Sequence, residues 1–443
     1  MTDVFGSLFW YVVTIGLLVT FHEFGHFWVA RRCGVKVHRF SIGFGKPLWM
    51  RTGGDGTEYV LAAIPLGGYV SMLDERAEDV APEQAHAALN RKPVWQKIAV
   101  AAAGPVANIL LAIAVYWAMF VYGKPDFQPI IGQTSGVVAD AGLRPGMRVT
   151  SVDGEAVEAW SEVGMAVFEA ALYRRDLTLG VHEPDGDDTS HVLRLSGIAR
   201  DVPDERLGAL IGLQRLQPAL VGQVVPDGAG ARAGLRSGDL ILGIDGEAVA
   251  DFESLRLVLQ RQAADGEVSL LVERGGARER LPARPIAIEE DGQKVYKLGI
   301  GAGTRSDHIR RYSVIAAIPA AVDEAWSVTA KSMQFLKDML FGALSTKHLS
   351  GPITIAQVAN LSANEGLPWF LGFLGAVSLG LAILNLLPIP ILDGGHILYY
   401  LIELIKGSPV SDRTLVAGQY VGLAMLSGLI GLAFFNDISG LFR

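Results

Sequence analysis

The stretch VTFHEFGHFWVARR, residues 19–32, decides how this chain is read. It places two histidines and a glutamate inside an apolar run that begins at Val4 and gives way to two arginines. His22 and His26 are four residues apart. On a 3.6-residue helix that spacing puts them about 40° apart on one face, one turn from each other. Two imidazoles so placed can grip one zinc ion, with Glu23 beside them as general base. With Arg31 at the membrane boundary, the pair lies about 8–14 Å below it. The bland alternative is a pair of interfacial histidines that reach water at a helix end. The depth argues against it, because ionisable groups there are costly and mark function.

A catalytic zinc takes three protein ligands and keeps one position open. The third must come from another element at the same depth. A later run ends LNLLPIPILDGGHI, residues 384–397, and Asp393 is the only acid there. Asn385 stands eight residues before it. Pro388 and Pro390 break the helix, and Gly394-Gly395 allow a tight turn. Broken backbone at membrane depth is tolerated where protein buries it or water reaches it, which suits a metal-site loop. His396, three residues beyond Asp393, is the rival ligand.

The chain has 443 residues, half of them apolar and 19% charged, with mean hydropathy +0.32. Four runs are long enough to cross a bilayer, at 4–30, 98–123, 366–392 and 414–435. The first lacks a basic start and a cleavage site, so it reads as a retained span rather than a signal peptide. Net charge is −8 with no long basic run, which argues against nucleic-acid binding. Cys33 is the only cysteine, so internal disulfides are excluded. Lys and Arg crowd the 31–97 loop, which predicts that this loop is cytoplasmic and that both termini and the long 124–365 segment lie outside.

That segment holds an internal repeat. ADAGLRPGMRVTSVDGEAV (139–157) returns as ARAGLRSGDLILGIDGEAV (231–249), 92 residues later, with eleven of nineteen positions identical. Each copy reads as a short helix, a turn, a strand and an Asp-Gly hairpin turn. These units resemble PDZ domains of the circularly permuted bacterial kind, which bind peptides at a sheet edge. Residues 313–342 read as a helix returning to the membrane, and 350–363 as an interfacial helix. The stretch EYVLAAIPLGGYVSM, 58–72, reads as a strand pair looping into the membrane around Gly67-Gly68. Its edge, Gly67, Gly68, Tyr69 and Val70, is the expected docking strand for an unwound substrate.

HEFGH in the first run, together with NLLPIPILDGG near the third, resembles the site-2 protease family of intramembrane zinc metalloproteases. FSIGFGKPL (40–48), LGGYV (66–70) and AAGPVAN (102–108) are similar too, and the resemblance covers essentially the whole chain. Tandem PDZ units between the second and third spans narrow it to bacterial members. Ser71 departs from the lysine expected after GGYV, at a flanking position only.

The resemblance implies a polytopic α-helical membrane protein with four transmembrane helices, a membrane-entering β-structure and two inserted α+β PDZ domains. The implied parts are 1–126, 127–216 and 217–303 for the two PDZ units, and 304–443. It implies a Zn2+ cofactor on His22, His26 and Asp393, Glu23 as base, and Asn385 on the substrate backbone, leaving His396 a supporting role. It implies partners as well: single-span membrane proteins such as an anti-sigma factor already shortened by another protease, and remnant signal peptides. The setting would be stress-responsive regulated intramembrane proteolysis in a bacterial inner membrane, with the active site towards the cytoplasm and the PDZ units periplasmic. Two other classes compete: a membrane-tethered PDZ adaptor, which needs no Glu23, and a zinc transporter, which needs neither a base nor peptide-binding units. A soluble-type HExxH peptidase is excluded by the apolar setting.

Overall fold

A computed structural model describes residues 4–441 except 185, 200, 201, 203–205, 264, 265, 291, 292, 304–307 and 342–348. Residue 304, where the last part was expected to begin, lies outside the described residues. The chain divides into two units, Met1–Lys124 with Arg310–Arg443, and Pro125–Ile309.

The first unit contains α1 (Val4–Arg32), α2 (Val94–Tyr122), α3 (Ala317–Leu340), α4 (Pro352–Glu365), α5 (Leu367–Leu386), α6 (Asp393–Lys406) and α7 (Asp412–Leu441). Of the described helices, α1, α2, α5 and α7 are long and apolar enough to cross a membrane. Apolar side chains alone do not hold such helices together in lipid, so close approach of small residues matters. Gly25 of α1 shows this. A Cβ there would strike the Ala103 carbonyl and come within 2.7 Å of the Ala107 methyl on α2. Further along α2, Ala112, Tyr116, Met119 and Phe120 pack with Ala317, Ala321 and Ala325 of α3 and Leu379 of α5.

The third span is shorter than expected. Helix α5 ends at Leu386, because Leu387 precedes Pro388 and takes extended backbone at φ −61°, ψ 143°. The chain then runs irregularly to Leu392, with Ile391 at φ 99°, a conformation that β-branched residues rarely adopt. The turn expected at Gly394-Gly395 is absent. Both glycines lie in the first turn of α6. Their small size lets α6 press on the carbonyls of Leu386, Leu387 and Ile389, which a Cβ at either position would strike.

The β-structure also differs from its expected form. Glu58–Met72 is not a strand pair in itself. It is one bent strand, β2, antiparallel to β1 (Val37–Thr52). Residues 39–42 of β1 pair with 58–61 on one side and 68–71 on the other, while 58–62 also meet 47–52. Two bent strands thus build four rungs, and 68–71 form one edge. Arg39 ties the bend. Its Nε donates to Glu58 Oε2 at 2.8 Å and its Nη1 to the Tyr69 hydroxyl at 3.3 Å.

The second unit carries two four-stranded sheets. One has strands Arg148–Val152, Glu155–Ala156, Leu177–His182 and Asp188–Leu193. The other has Leu240–Ile244, Glu247–Ala248, Val268–Arg274 and Ala277–Ala283. Each has its own apolar core, around Val149 and Leu179 in one and Ile241 and Leu270 in the other. The sequence repeat reappears as a repeated turn. Asp153 and Asp245 take φ 49° and 50°, and the glycines after them φ 87° and 88°. Each aspartate also accepts a backbone N–H at 2.8 Å, from Thr178 and Ser269.

Candidate metal centre

The helix α1 presents His22 and His26 one turn apart, both buried. The first residue of α6, Asp393, meets them. Its carboxylate oxygens lie 3.1 Å from His22 Nε2 and 3.4 Å from His26 Nε2, and the two Nε2 atoms are 3.2 Å apart. Among the described residues this is the group of metal-capable side chains.

The spacing can be compared with a metal site. Ligand atoms about 2.0–2.1 Å from a tetrahedral centre are about 3.3–3.4 Å from one another. The observed separations fall close to those edges. One oxygen of Asp393, Oδ2, is buried with no hydrogen-bond donor among the described residues. A buried carboxylate oxygen normally has a partner, and a cation shared with the two imidazoles would supply one. Two imidazoles and a carboxylate are an ordinary zinc donor set.

Behind the histidines stands α2. His26 Nδ1 lies 2.8 Å from the Val100 carbonyl oxygen, which only accepts. Nδ1 therefore carries the proton and Nε2 keeps its lone pair for a metal. Gly104 leaves room for the rings. A Cβ there would strike His26 Nε2 and lie 2.7 Å from His22 Nε2. Val100, Gly104 and Asn108 are not legible as site residues in the sequence. Gly104 and Asn108 fall in the stretch AAGPVAN (102–108), and Val100 lies outside it.

Glu23 is half-buried on the same helix. The Val70 backbone N–H lies close to its carboxylate. A Cβ on Gly68 would stand 3.4 Å from Glu23 Cγ. The edge segment of the β-structure therefore runs past Glu23. Phe44 stacks on Tyr69 at 6.2 Å between ring centres, and Gly67, at φ 143°, gives the Phe44 ring its space.

Asn385, expected on the substrate backbone, and His396, the rival ligand, are not part of this cluster. Asn385 lies in the last turn of α5, half-buried, and its side chain makes no hydrogen bond among the described residues. His396 is exposed on α6 and stacks on Tyr400 instead, at 6.4 Å.

The chain matches peptidase family M50 over residues 10–429. It is 47% identical over 447 residues to a Xylella fastidiosa protein named "Putative zinc metalloprotease", covering 99% of this chain and 100% of the relative. It is 39% identical over 456 residues to regulator of sigma-E protease RseP of Escherichia coli, covering 97% and 98%. It is 40% identical over 456 residues to protease RseP of Yersinia pestis, covering 100% of both. A solved PDZ domain of an SdrC-like protein from Listeria monocytogenes aligns with 20% of this chain and 90% of its own, at 24% identity and a TM-score of 0.18, too low to bear on the fold. With the match spanning nearly the whole chain, the protein belongs to peptidase family M50 and is a metalloprotease of the site-2 type.

Proposed function

We propose that this protein is an intramembrane zinc metalloprotease that hydrolyses peptide bonds in or near the transmembrane segment of single-span membrane proteins. The observation that carries the reading is the meeting of His22, His26 and Asp393 within 3.1–3.4 Å, with Glu23 one residue from the first ligand. The names of its relatives point to the same metal. When bound, zinc supplies Lewis acidity that makes water nucleophilic near neutral pH and polarises a carbonyl.

The chain's own groups do the rest. Glu23 accepts the proton of the attacking water and passes it to the leaving nitrogen. A helical substrate hides its peptide bonds, so it must be unwound locally. The edge at Gly67, Gly68, Tyr69 and Val70 offers backbone groups to an extended substrate strand and holds it against Glu23. Asn385, its side chain uncommitted, contacts the substrate backbone.

Residues 127–216 and 217–303 act as two PDZ units that filter by size or read a C-terminus. The Leu298–Gly301 segment lines a cleft with Phe252, Leu255 and Leu259, which supports a peptide site in the second unit. Two relatives are named for sigma-E regulation or as RseP. By that likeness the substrates are anti-sigma factor-like proteins after a first cleavage and remnant signal peptides. The setting is a bacterial inner membrane, with the termini and PDZ units periplasmic and the metal centre towards the cytoplasmic side.

Purified full-length protein in detergent, given a single-span reporter without an outer domain, tests this. Wild type should cleave, lose cleavage on chelation and regain it with zinc, and Glu23→Gln should not cleave. Equal cleavage by Glu23→Gln would remove the mechanism.

A further inference from the structure

Asn108 of α2 is fully buried, and its terminal amide lies 3.3 Å from Nδ1 of His22. The two ends of an asparagine amide occupy nearly equivalent positions, so the chemistry around them decides which end faces a partner. With the nitrogen towards the ring, the side-chain oxygen is buried without a donor. Exchanging the ends gives that oxygen a donor but moves the unpaired end to the NH2 group. The hydrogen-bond count therefore does not choose between them.

The metal site does choose. An imidazole binds a metal through a lone pair, and a neutral ring has one lone pair and one N–H. An amide NH2 donating to Nδ1 would put the ring proton on Nε2, the atom that faces Asp393 and His26. An amide oxygen accepting from Nδ1–H leaves Nε2 free. His26 is already fixed in that tautomer by the Val100 carbonyl. We infer that Asn108 presents its side-chain oxygen to His22 Nδ1–H and so holds His22 in the tautomer whose Nε2 faces the metal. The inference rests on the zinc reading given above. Asn108 touches neither substrate nor metal, so it is a positioning residue. Its own place is fixed from a third helix: buried Ser378 of α5 donates its hydroxyl to the Asn108 backbone oxygen at 2.8 Å.

Zinc affinity of the full-length protein, measured by competition with a coloured chelator, tests the inference without any substrate. Asn108→Leu removes the acceptor and should weaken zinc binding about 10–100-fold. Asn108→Asp keeps an acceptor and loses both donors, so it should bind within about threefold of wild type or tighter. Asn108→Ala repeats the loss with a smaller side chain if the leucine variant does not fold. Affinity unchanged in both Asn108→Leu and Asn108→Ala would overturn the inference. So would Asn108→Asp being as weak as they are, because the NH2 donor would then be what matters. A wild-type protein that takes up no zinc would overturn the metal reading itself, and this inference with it.

Discussion

Lys97 of α2 and Glu403 of α6 form a buried ion pair, with Nζ 2.6 Å from Oε1 and 2.7 Å from Oε2. The lysine side chain is 4% exposed, and its Nζ also lies 5.3 Å from the centre of the Tyr400 ring. Asp393 starts α6, so the pair anchors the helix that brings the third candidate ligand, about 15 Å further along it.

Breaking that pair from one side leaves a buried charge without a partner, which costs about 3–5 kcal/mol. Lys97→Met and Glu403→Gln should each lower the melting temperature in detergent, and the first should cost more because methionine leaves the carboxylate no donor whereas glutamine still offers Nζ an acceptor. The double variant Lys97→Met with Glu403→Leu removes both charges and should recover most of the loss. A double variant no more stable than the singles would show that the charges are not coupled.

Gly104 sits where a methyl group would meet both imidazoles. Gly104→Ala should therefore lower zinc affinity at least about tenfold, since displaced ligands bind poorly. Metal content at equal zinc concentration is the check, and full occupancy in the variant would contradict the assigned geometry.

The last helix shapes the metal loop as well. A Cβ on Gly422 of α7 would strike the Pro390 carbonyl oxygen, and one on Gly418 would strike the Tyr399 hydroxyl. Pro390 precedes Ile391, whose φ of 99° is the strained step leading to Asp393. Gly422→Val should push this loop and reduce reporter cleavage by at least about tenfold, because a misplacement of about 1 Å at a catalytic site costs up to 100-fold. Gly431→Val on the same helix, where a Cβ meets nothing, should have little effect.

The second unit should show an acid-sensitive strand. Arg274 donates to both oxygens of Asp239 at 2.7 Å, and this holds the Asp239 carboxyl below the usual aspartate range. A lowered pKa in the folded state adds stability that is complete above the unfolded value of about 3.9. That stability is lost as pH falls through the folded value. Hydrogen exchange of the paired strands Leu240–Ile244 and Val268–Arg274 in the full-length protein, corrected for intrinsic rate, should lose protection in that window. Asp239→Asn should be less protected at neutral pH and lack this part of the pH dependence.

The site was unevenly legible in the sequence. His22 and His26 could be read because helical periodicity converts a spacing of four into one face, and Glu23 followed from its place between them. Asp393 could be read as the lone acid at a broken helix end. Val100, Gly104 and Asn108 could not. A backbone carbonyl leaves no trace in a side-chain pattern, and a glycine or an asparagine in an uncharged run looks like any small or polar residue. The bent β1–β2 structure differs from the expected strand pair for a related reason. Its 39–42 segment pairs on both sides, which no alternation of apolar and polar residues announces. The twin Asp-Gly turns were the opposite case, because their positive φ values are written into the residue types.

We propose that one zinc ion sits on His22, His26 and Asp393 while Glu23 serves chemistry and not binding. Zinc per chain and zinc K-edge absorption, measured on wild type, Glu23→Gln and Asp393→Ala, test it most directly. Wild type and Glu23→Gln should each carry one zinc per chain, with two imidazole nitrogens at about 2.0–2.1 Å and no sulfur neighbour. Asp393→Ala should lose the zinc. Full zinc in Asp393→Ala with an unchanged spectrum, or loss of zinc in Glu23→Gln, would contradict it.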